Sequence, residues 1–409
     1  MENDLIAPAS STSRASLHAM LDFAWSAEVF VSADAMEGTG LTRSTAIAAL
    51  DELIDVGLLR ELPNARAVGG EYSKGRPSRR FELCADAAVV IGMDAGRSHL
   101  TTTIADLRGA PLAQQTVELD DAHEGAPERR TAVLDAIDGA LRAAGLSRAA
   151  VLAVCVGVPA PVNSRGSSPI QLGDDFWRRM NPDLRQLLEL WVPIVRIENN
   201  AALAAVAEGA VGAAVGLRDF VVLLAGHRLG GGVVVDGHLL RGSHGGVGEM
   251  KAFDFVDGVG SAAGIGLQLT DWVEEAASAG QIPPGHPLAS VAAGSVTGRA
   301  VLELALSGDP WARGLVERAG ALLARIAGVF GSLYDPERVI VAGAIADGLA
   351  EVLEVARTLL PGEVDVPAPD LALSSLGAAA VVTGAVAAAL EAARADVLRV
   401  GLAARRAAG

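Results

Sequence analysis

The chain has 409 residues at 41.6 kDa, 51% of them hydrophobic and 20% charged. That is material for two or three folded units, and it excludes both a single small module and a globally disordered chain. The formal charge of −16, from 33 Lys+Arg against 49 Asp+Glu, opposes non-specific binding to nucleic acid or an anionic membrane when averaged over the surface.

Cys84 and Cys155 are the only cysteines, too few for a disulfide framework or a Cys-rich metal site, so both are expected as buried thiols. The start, MENDLIAPASSTSR, carries acids and lacks the apolar stretch of a secretory signal. The apolar run GAAAVVTGAVAAAL is short and dominated by Ala and Gly. A cytoplasmic protein with no membrane segment is therefore expected.

From about Ser13 to Arg60 the pattern predicts three short helices. Leu17, Met20, Leu21 and Ala24 give the first an apolar face. Ser32 is expected to cap a second helix ending near Gly38, and Thr42 a third with Ile47, Leu50, Leu53 and Ile54 inward and Gly57 as its stop. Two helices joined by the Gly38–Leu41 turn read as a helix-turn-helix. The following LLRELPNARAVGGEYSKGRPSRRFELC reads as a β-hairpin wing. Between Leu41 and Arg80 seven basic residues (Arg43, Arg60, Arg66, Lys74, Arg76, Arg79, Arg80) face five acidic ones (Asp51, Glu52, Asp55, Glu61, Glu71), a local +2 in an acidic chain.

From about Ala87 strands alternate with helices. VVIGMDAG, HLTTTIADLRG and PLAQQTVEL predict a three-strand meander, followed by a helix from Arg129 to Ala144 and the strand AVLAVCVGVPAP. FVVLLAG, GGGVVVDGHLLRG, a long helix and RVIVAGAI begin and end a second pass of the same kind. Such a duplication implies a cleft between two lobes, where ligands commonly bind.

Three constellations carry candidate chemistry. Thr42, Arg43, Ser44 and Thr45 open the third helix, where a recognition helix meets base edges and phosphates, and Arg76, Arg79 and Arg80 of the wing are expected near the DNA backbone or minor groove. Glu198-Asn199-Asn200 ends the strand PIVRIEN. A carboxylate there suits a general base and Asn199 suits a polyol, while the same residues also serve as helix caps. In GSHGGVGEM, Glu249 sits in a Gly-rich loop whose backbone approaches a ligand closely, or else is a solvated acid. No Walker, dinucleotide-binding or nucleophile-elbow pattern appears.

In order and spacing, SADAMEGTGLTRSTAIAALDELIDVGLLRE with GRPSRR, then VIGMDAGRSHLTTTIADLRG, VCVGVPAPV, IENNAALAAVAEG, GGGVVVDGHLLRGSHGGVGEM and LYDPERVIVAGAI, resemble the ROK family (repressors, open reading frames and sugar kinases) over nearly the whole chain. The resemblance implies an α/β fold class: an N-terminal winged helix-turn-helix over residues 1–85, then an actin-like, ribonuclease H-like, duplicated two-lobed domain over 86–409, with lobes at approximately 86–200 and 201–409. It also implies a homodimer or tetramer with a sugar or sugar phosphate as effector.

Several positions depart from the kinase pattern. Asn200 stands where the kinases carry an Asp general base, and Arg97 and Arg228 fall in the two phosphate loops. Ala252 replaces the zinc-binding His, no Cys-rich segment follows, and Gln268 is the counterpart of a sugar-binding Glu. Of the sugar-contacting set Asn199 and Glu249 remain. The expectation is a repressor binding a double-stranded DNA operator, without catalysis, cofactor or metal; the alternative is an ATP-dependent carbohydrate kinase with an added DNA-binding unit.

Overall fold

The computed structural model describes residues 13–63, 79–120, 125–170, 175–290 and 296–401. The N-terminal unit contains α1 (Arg14–Ser26), β1 (Val29–Val31), α2 (Ser32–Thr39), α3 (Arg43–Asp55), β2 (Leu59–Leu62) and β3 (Arg80–Leu83). The expected inward face of α1 is buried at Leu17, Met20, Leu21 and Ala24. In α3 the buried set is Ala46, Ala49, Leu50 and Leu53, with Ile47 and Ile54 only half-buried.

Two details of α2 differ from expectation. It is capped by Asp34, whose carboxylate accepts the Val31 N–H at 2.9 Å, rather than by Ser32. It also continues past Gly38 to Thr39, because the left-handed turn that stops it falls at Gly40 (φ 68°). The expected hairpin β2–β3 is joined by a third strand, β1, in an antiparallel sheet of order β1-β3-β2. Phe30 of β1 meets Phe23 edge-to-face and lies tilted against Phe81, at centroid distances of 5.2 and 5.8 Å. The hairpin tip, with Arg66, Lys74 and Arg76, lies outside the described residues.

The remainder is two copies of one topology. The first contains β4 (Val89–Ala95), β5 (His99–Asp106), β6 (Pro111–Glu118), α4 (Ala126–Ala143), β7 (Val151–Val158), α5 (Phe176–Met180), α6 (Leu184–Glu189), β8 (Ile194–Asn199) and α7 (Asn200–Val211). The second contains β9 (Phe220–Ala225), β10 (Leu229–Val235), β11 (His238–Leu239), α8 (Ile265–Ser278), α9 (Gly298–Leu306), α10 (Pro310–Tyr334), β12 (Arg338–Ala342), α11 (Ala350–Leu359), β13 (Asp370–Leu373) and α12 (Ala380–Val400).

The sheets run β6-β5-β4-β7-β8 and β11-β10-β9-β12-β13. In each, the first three strands form an antiparallel meander and the last two add in parallel. The doubled pattern in the sequence is thus a doubled sheet. Cys84 and Cys155 are both buried and unbridged.

The last helix of each copy crosses to the other. α12 packs on β4 and β7 of the first sheet, α7 packs on β9 and β10 of the second, and the two helices pack against each other. A division of the lobes by a single cut near residue 200 therefore does not describe the packing: α12 belongs with the first sheet. Close contact requires missing side chains. A Cβ on Gly384 of α12 would collide with the Leu203 carbonyl of α7, and one on Gly232 of β10 with the Ala201 carbonyl.

The segment Gly377–Val400 is 24 residues long and apolar enough, by length and composition, to cross a bilayer. This corrects the expectation that the run is too short. Half of its apolar stretch is buried inside the protein, including Ala380, Val381, Val382, Ala385, Ala389 and Ala393.

Gly384→Ala should overpack the crossing and lower unfolding stability by about 2 kcal/mol, within the usual ~1–3 kcal/mol for small-to-large core changes. Chemical denaturation of the full chain reads this directly, and an unchanged midpoint would contradict the close approach.

Candidate nucleic-acid interface and interlobe cleft

Thr42 is the N-cap of α3, its hydroxyl accepting the Thr45 N–H at 3.4 Å and lying 2.9 and 3.3 Å from the Thr45 and Ser44 hydroxyls. This network fixes the first turn, and Arg43 and Ser44 are exposed on it. Arg80 is half-buried at the start of β3.

Arg79 is differently engaged. Its guanidinium pairs with Asp51 of α3 at 2.9 Å and Glu61 of β2 at 2.9 Å, and lies 5.1 Å from the centre of the Phe81 ring. It braces the hairpin against α3. Arg60 likewise pairs with Glu82 and, at 3.7 Å, with Asp86. Arg76 is outside the described residues, so the structure brings together Thr42, Arg43, Ser44 and Thr45 on one helix turn and Arg79 beside that helix.

In the cleft, the Asn199 amide caps α7. Its Oδ1 accepts from Ala201 N at 2.8 Å and Ala202 N at 3.3 Å, and its Nδ2 donates to the Ala160 carbonyl at 3.1 Å. One N–H of the amide remains for a ligand. Glu198, with 12% of its side chain exposed, is forked by Arg241, whose Nε and Nη2 reach the same carboxylate oxygen at 2.8 and 2.7 Å. Asn200 opens α7 with an amide that takes up no proton.

Glu249 bridges to Gly230, and Gly231 N donates to the Gly248 carbonyl at 2.9 Å, so the Gly-rich loop lies along β10. Gly230 in turn lies against Ala201. Asn199 caps α7, and Glu249 pairs with the strand residue that lies against Ala201 in the first turn of that helix. Glu249 keeps an exposed edge but is crowded by surrounding protein; that desolvation raises its pKa, against the downward pull of Arg228. Burial lowers the pKa of His227, and so do the charges of Arg97 in the turn after β4 and of Arg228 beside it. Gln268 is buried, with its amide donating to the Ala263 carbonyl at 2.9 Å.

One residue was missed by sequence reasoning. Arg129 is 0% exposed, and its guanidinium donates to the carbonyls of Ala95 (2.6 Å), Gly96 (2.8 Å) and Met180 (3.2 Å). Burial lowers its pKa to about 10, against the upward pull of Asp94. It pins the turn after β4 to α4 and α5. The signal was its register: Arg129, Val133, Ala136, Ile137 and Ala140 fall on one helical face. In the same turn His99 Nε2 lies 3.1 Å from the buried Asp94 carboxylate, which raises the His99 pKa.

A protein with this double sheet, crossed helices and an N-terminal three-helix unit belongs to the class of two-lobed α/β proteins with an appended head. The model of the ROK family matches residues 90–392, and the chain belongs to that family. It is 30% identical over 232 residues to the bifunctional enzyme NanE/NanK of Brucella suis, covering 51% of this chain but only 39% of that protein. It is 28% identical to the glucokinase of Streptomyces coelicolor (66% of this chain, 86% of the enzyme) and 24% identical to the xylose repressor of Caldicellulosiruptor bescii (55% of each). A solved ROK family transcriptional regulator, a homolog of the Escherichia coli MLC protein, shares the fold with a TM-score of 0.73 at 20% identity, over 95% of this chain and 98% of its own.

Two expectations test this geometry. The pair Arg79–Asp51 should show a coupling of roughly 0.2–1 kcal/mol in a double-mutant cycle of Arg79→Ala and Asp51→Ala, the range for exposed ion pairs; zero coupling would remove the brace. Because the folded pKa of His99 is raised, its contribution to stability is full below the ordinary imidazole value near 6.5 and is lost as pH rises through the higher folded value. His99→Asn should flatten that component of the stability–pH profile, and an unaltered profile would deny the pair.

Proposed function

We propose that the protein is a DNA-binding transcriptional regulator, a repressor, acting in the cytoplasm. In this reading residues 1–85 form a winged helix-turn-helix, and the two-lobed domain senses a small ligand, a sugar or sugar phosphate, without turning it over. The observation that carries it is the N-terminal unit: α3 exposes Arg43 and Ser44 on a capped first turn beside a β-hairpin, the arrangement by which a recognition helix enters a major groove. Structural likeness to the solved regulator extends over 95% of the chain, whereas that to a solved ROK family glucokinase covers 74%.

The cleft supports sensing over catalysis. Asn200 is no base, which leaves the position where the kinases carry their Asp without a proton acceptor, and Glu198 is paired with Arg241. Asn199 and Glu249 are the ligand contacts, and no cofactor or metal is invoked. A homodimer or tetramer sets two recognition helices on the half-sites of a palindromic operator, and a ligand that prefers one lobe arrangement shifts their spacing. The contacts to DNA are Thr42, Arg43, Ser44, Thr45, Arg76 and Arg80, with Arg79 acting through its brace.

A carbohydrate kinase is the second reading, favoured by the match over 86% of the glucokinase. A coupled assay with ATP and a panel of hexoses separates the two: regulation expects no ADP release, and steady turnover would overturn it.

Binding should be tested with the protein's own promoter fragment and random duplex over a salt series. A specific preference that weakens as salt rises is expected. Arg43→Ala should cost about 1–3 kcal/mol on the promoter if it reads a base edge. Equal affinity for both duplexes would sink the regulatory reading.

A further inference from the structure

α1 ends without a cation of its own: no basic residue lies in its last turn, and the helix stops at Ser26 with Ala27 as its C-cap. The last carbonyls of a helix lack intrahelical partners and carry partial negative charge. In this chain a residue 80 or more positions away fills that role. Arg108, in the turn between β5 and β6, donates to the carbonyls of Trp25 (3.2 Å), Ala27 (2.6 Å) and Glu28 (3.5 Å).

The turn that presents Arg108 is itself rigid. The Asp106 carboxylate accepts from the backbone N–H groups of Arg108 (2.8 Å) and Ala110 (2.9 Å), and Gly109, at φ 83°, sits against Leu390 of α12. A second guanidinium comes from α12: Arg394 reaches the Asp22 carboxylate at 2.6 Å and the Asp22 carbonyl at 3.2 Å. Between the two, Leu17, Met20, Leu21 and Ala24 of α1 share one apolar core with Ala389, Ala393 and Val397 of α12.

We propose that Arg108 and Arg394 lock the N-terminal unit onto the first lobe, so that its orientation is set by the β5–β6 turn and α12 rather than by the chain that joins them. One exposed ion pair would not suffice, since such pairs contribute little to stability. Here two guanidiniums on different elements grip one helix end over a shared core, so tilting α1 breaks all the contacts together. α1 packs on α3, and locking α1 therefore aims α3. Because α12 also packs on α7, which rests on the second sheet, a change in the angle between the lobes reaches the unit through one helix.

The proposal deepens the regulatory reading, yet its test needs no DNA. Cys84 and Cys155 are buried, so nitroxide labels on Glu37→Cys in α2 and Arg142→Cys in α4, both exposed positions, report the distance between unit and lobe in the full chain. Pulsed electron resonance should give one narrow distribution in that background. Adding Arg108→Ala and Arg394→Ala should at least double its width and speed hydrogen exchange at the end of α1 about tenfold, while α3 stays protected.

A broad distribution in the background, or an unchanged one after both substitutions, overturns the lock. Should the double variant not fold, Asp22→Asn, which removes one charge without changing shape, should broaden the distribution part of the way, and no broadening would again overturn it. The promoter titration answers separately: a lock that passes with no DNA preference stands while the regulatory reading falls.

Discussion

The structure depends on the contact between α7 and α12. Each helix ends one copy of the repeated topology and packs on the sheet of the other, so neither copy has a complete core without its counterpart. The contact is close because Gly384 leaves no side chain between the helices and because α7 carries Ala at most of its buried positions. Small residues bring backbones together and gain many weak dispersion contacts, which collectively offset the missing bulk. The same requirement explains why α12 is apolar enough to resemble a membrane span: the first sheet, α7 and α1 all pack against it.

Charge is distributed by the same economy of partners. The stretch from Leu41 to Arg80 is net positive by count, but Arg60 and Arg79 are committed to Glu82, Asp86, Asp51 and Glu61 within the unit. Those pairs hold the hairpin to its neighbours and leave little field. The first turn of α3 keeps its exposed Arg43, and the whole-chain acidity restricts a nucleic-acid partner to that face. Local positive charge in a sequence is therefore an upper bound on what a polyanion meets.

Local signals were legible wherever a single element decides the outcome. The spacing of Leu17, Met20, Leu21 and Ala24, the Thr42 cap and the alternation of strand and helix after Ala87 all reappear in space, because each reports one face or one end of one element. What was not legible is non-local. β1 is three residues long and gains strand character from pairing with β3 fifty positions later. Ser32 lost its capping role to Asp34, three residues inside the helix. Arg129 sat at a core register, but an arginine is read as surface unless carbonyl acceptors are known, and these come from the β4 turn and α5. The exchange of α7 and α12 has no signature in either helix taken alone.

In the proposed regulatory reading, the cleft keeps the frame of a kinase-like site without its reaction. Asn199 still joins the Ala160 carbonyl to the first turn of α7, and Glu249 still lies along β10 beside it, so the walls that would orient a polyol persist. Proton transfer needs a base within reach of the proton it takes. Asn200 takes up no proton and Glu198 faces Arg241, a residue contributed by the second copy to the last strand of the first. That ion pair spans the two halves, so it joins the lobes whose relative position, in the proposed lock, α12 carries to the N-terminal unit.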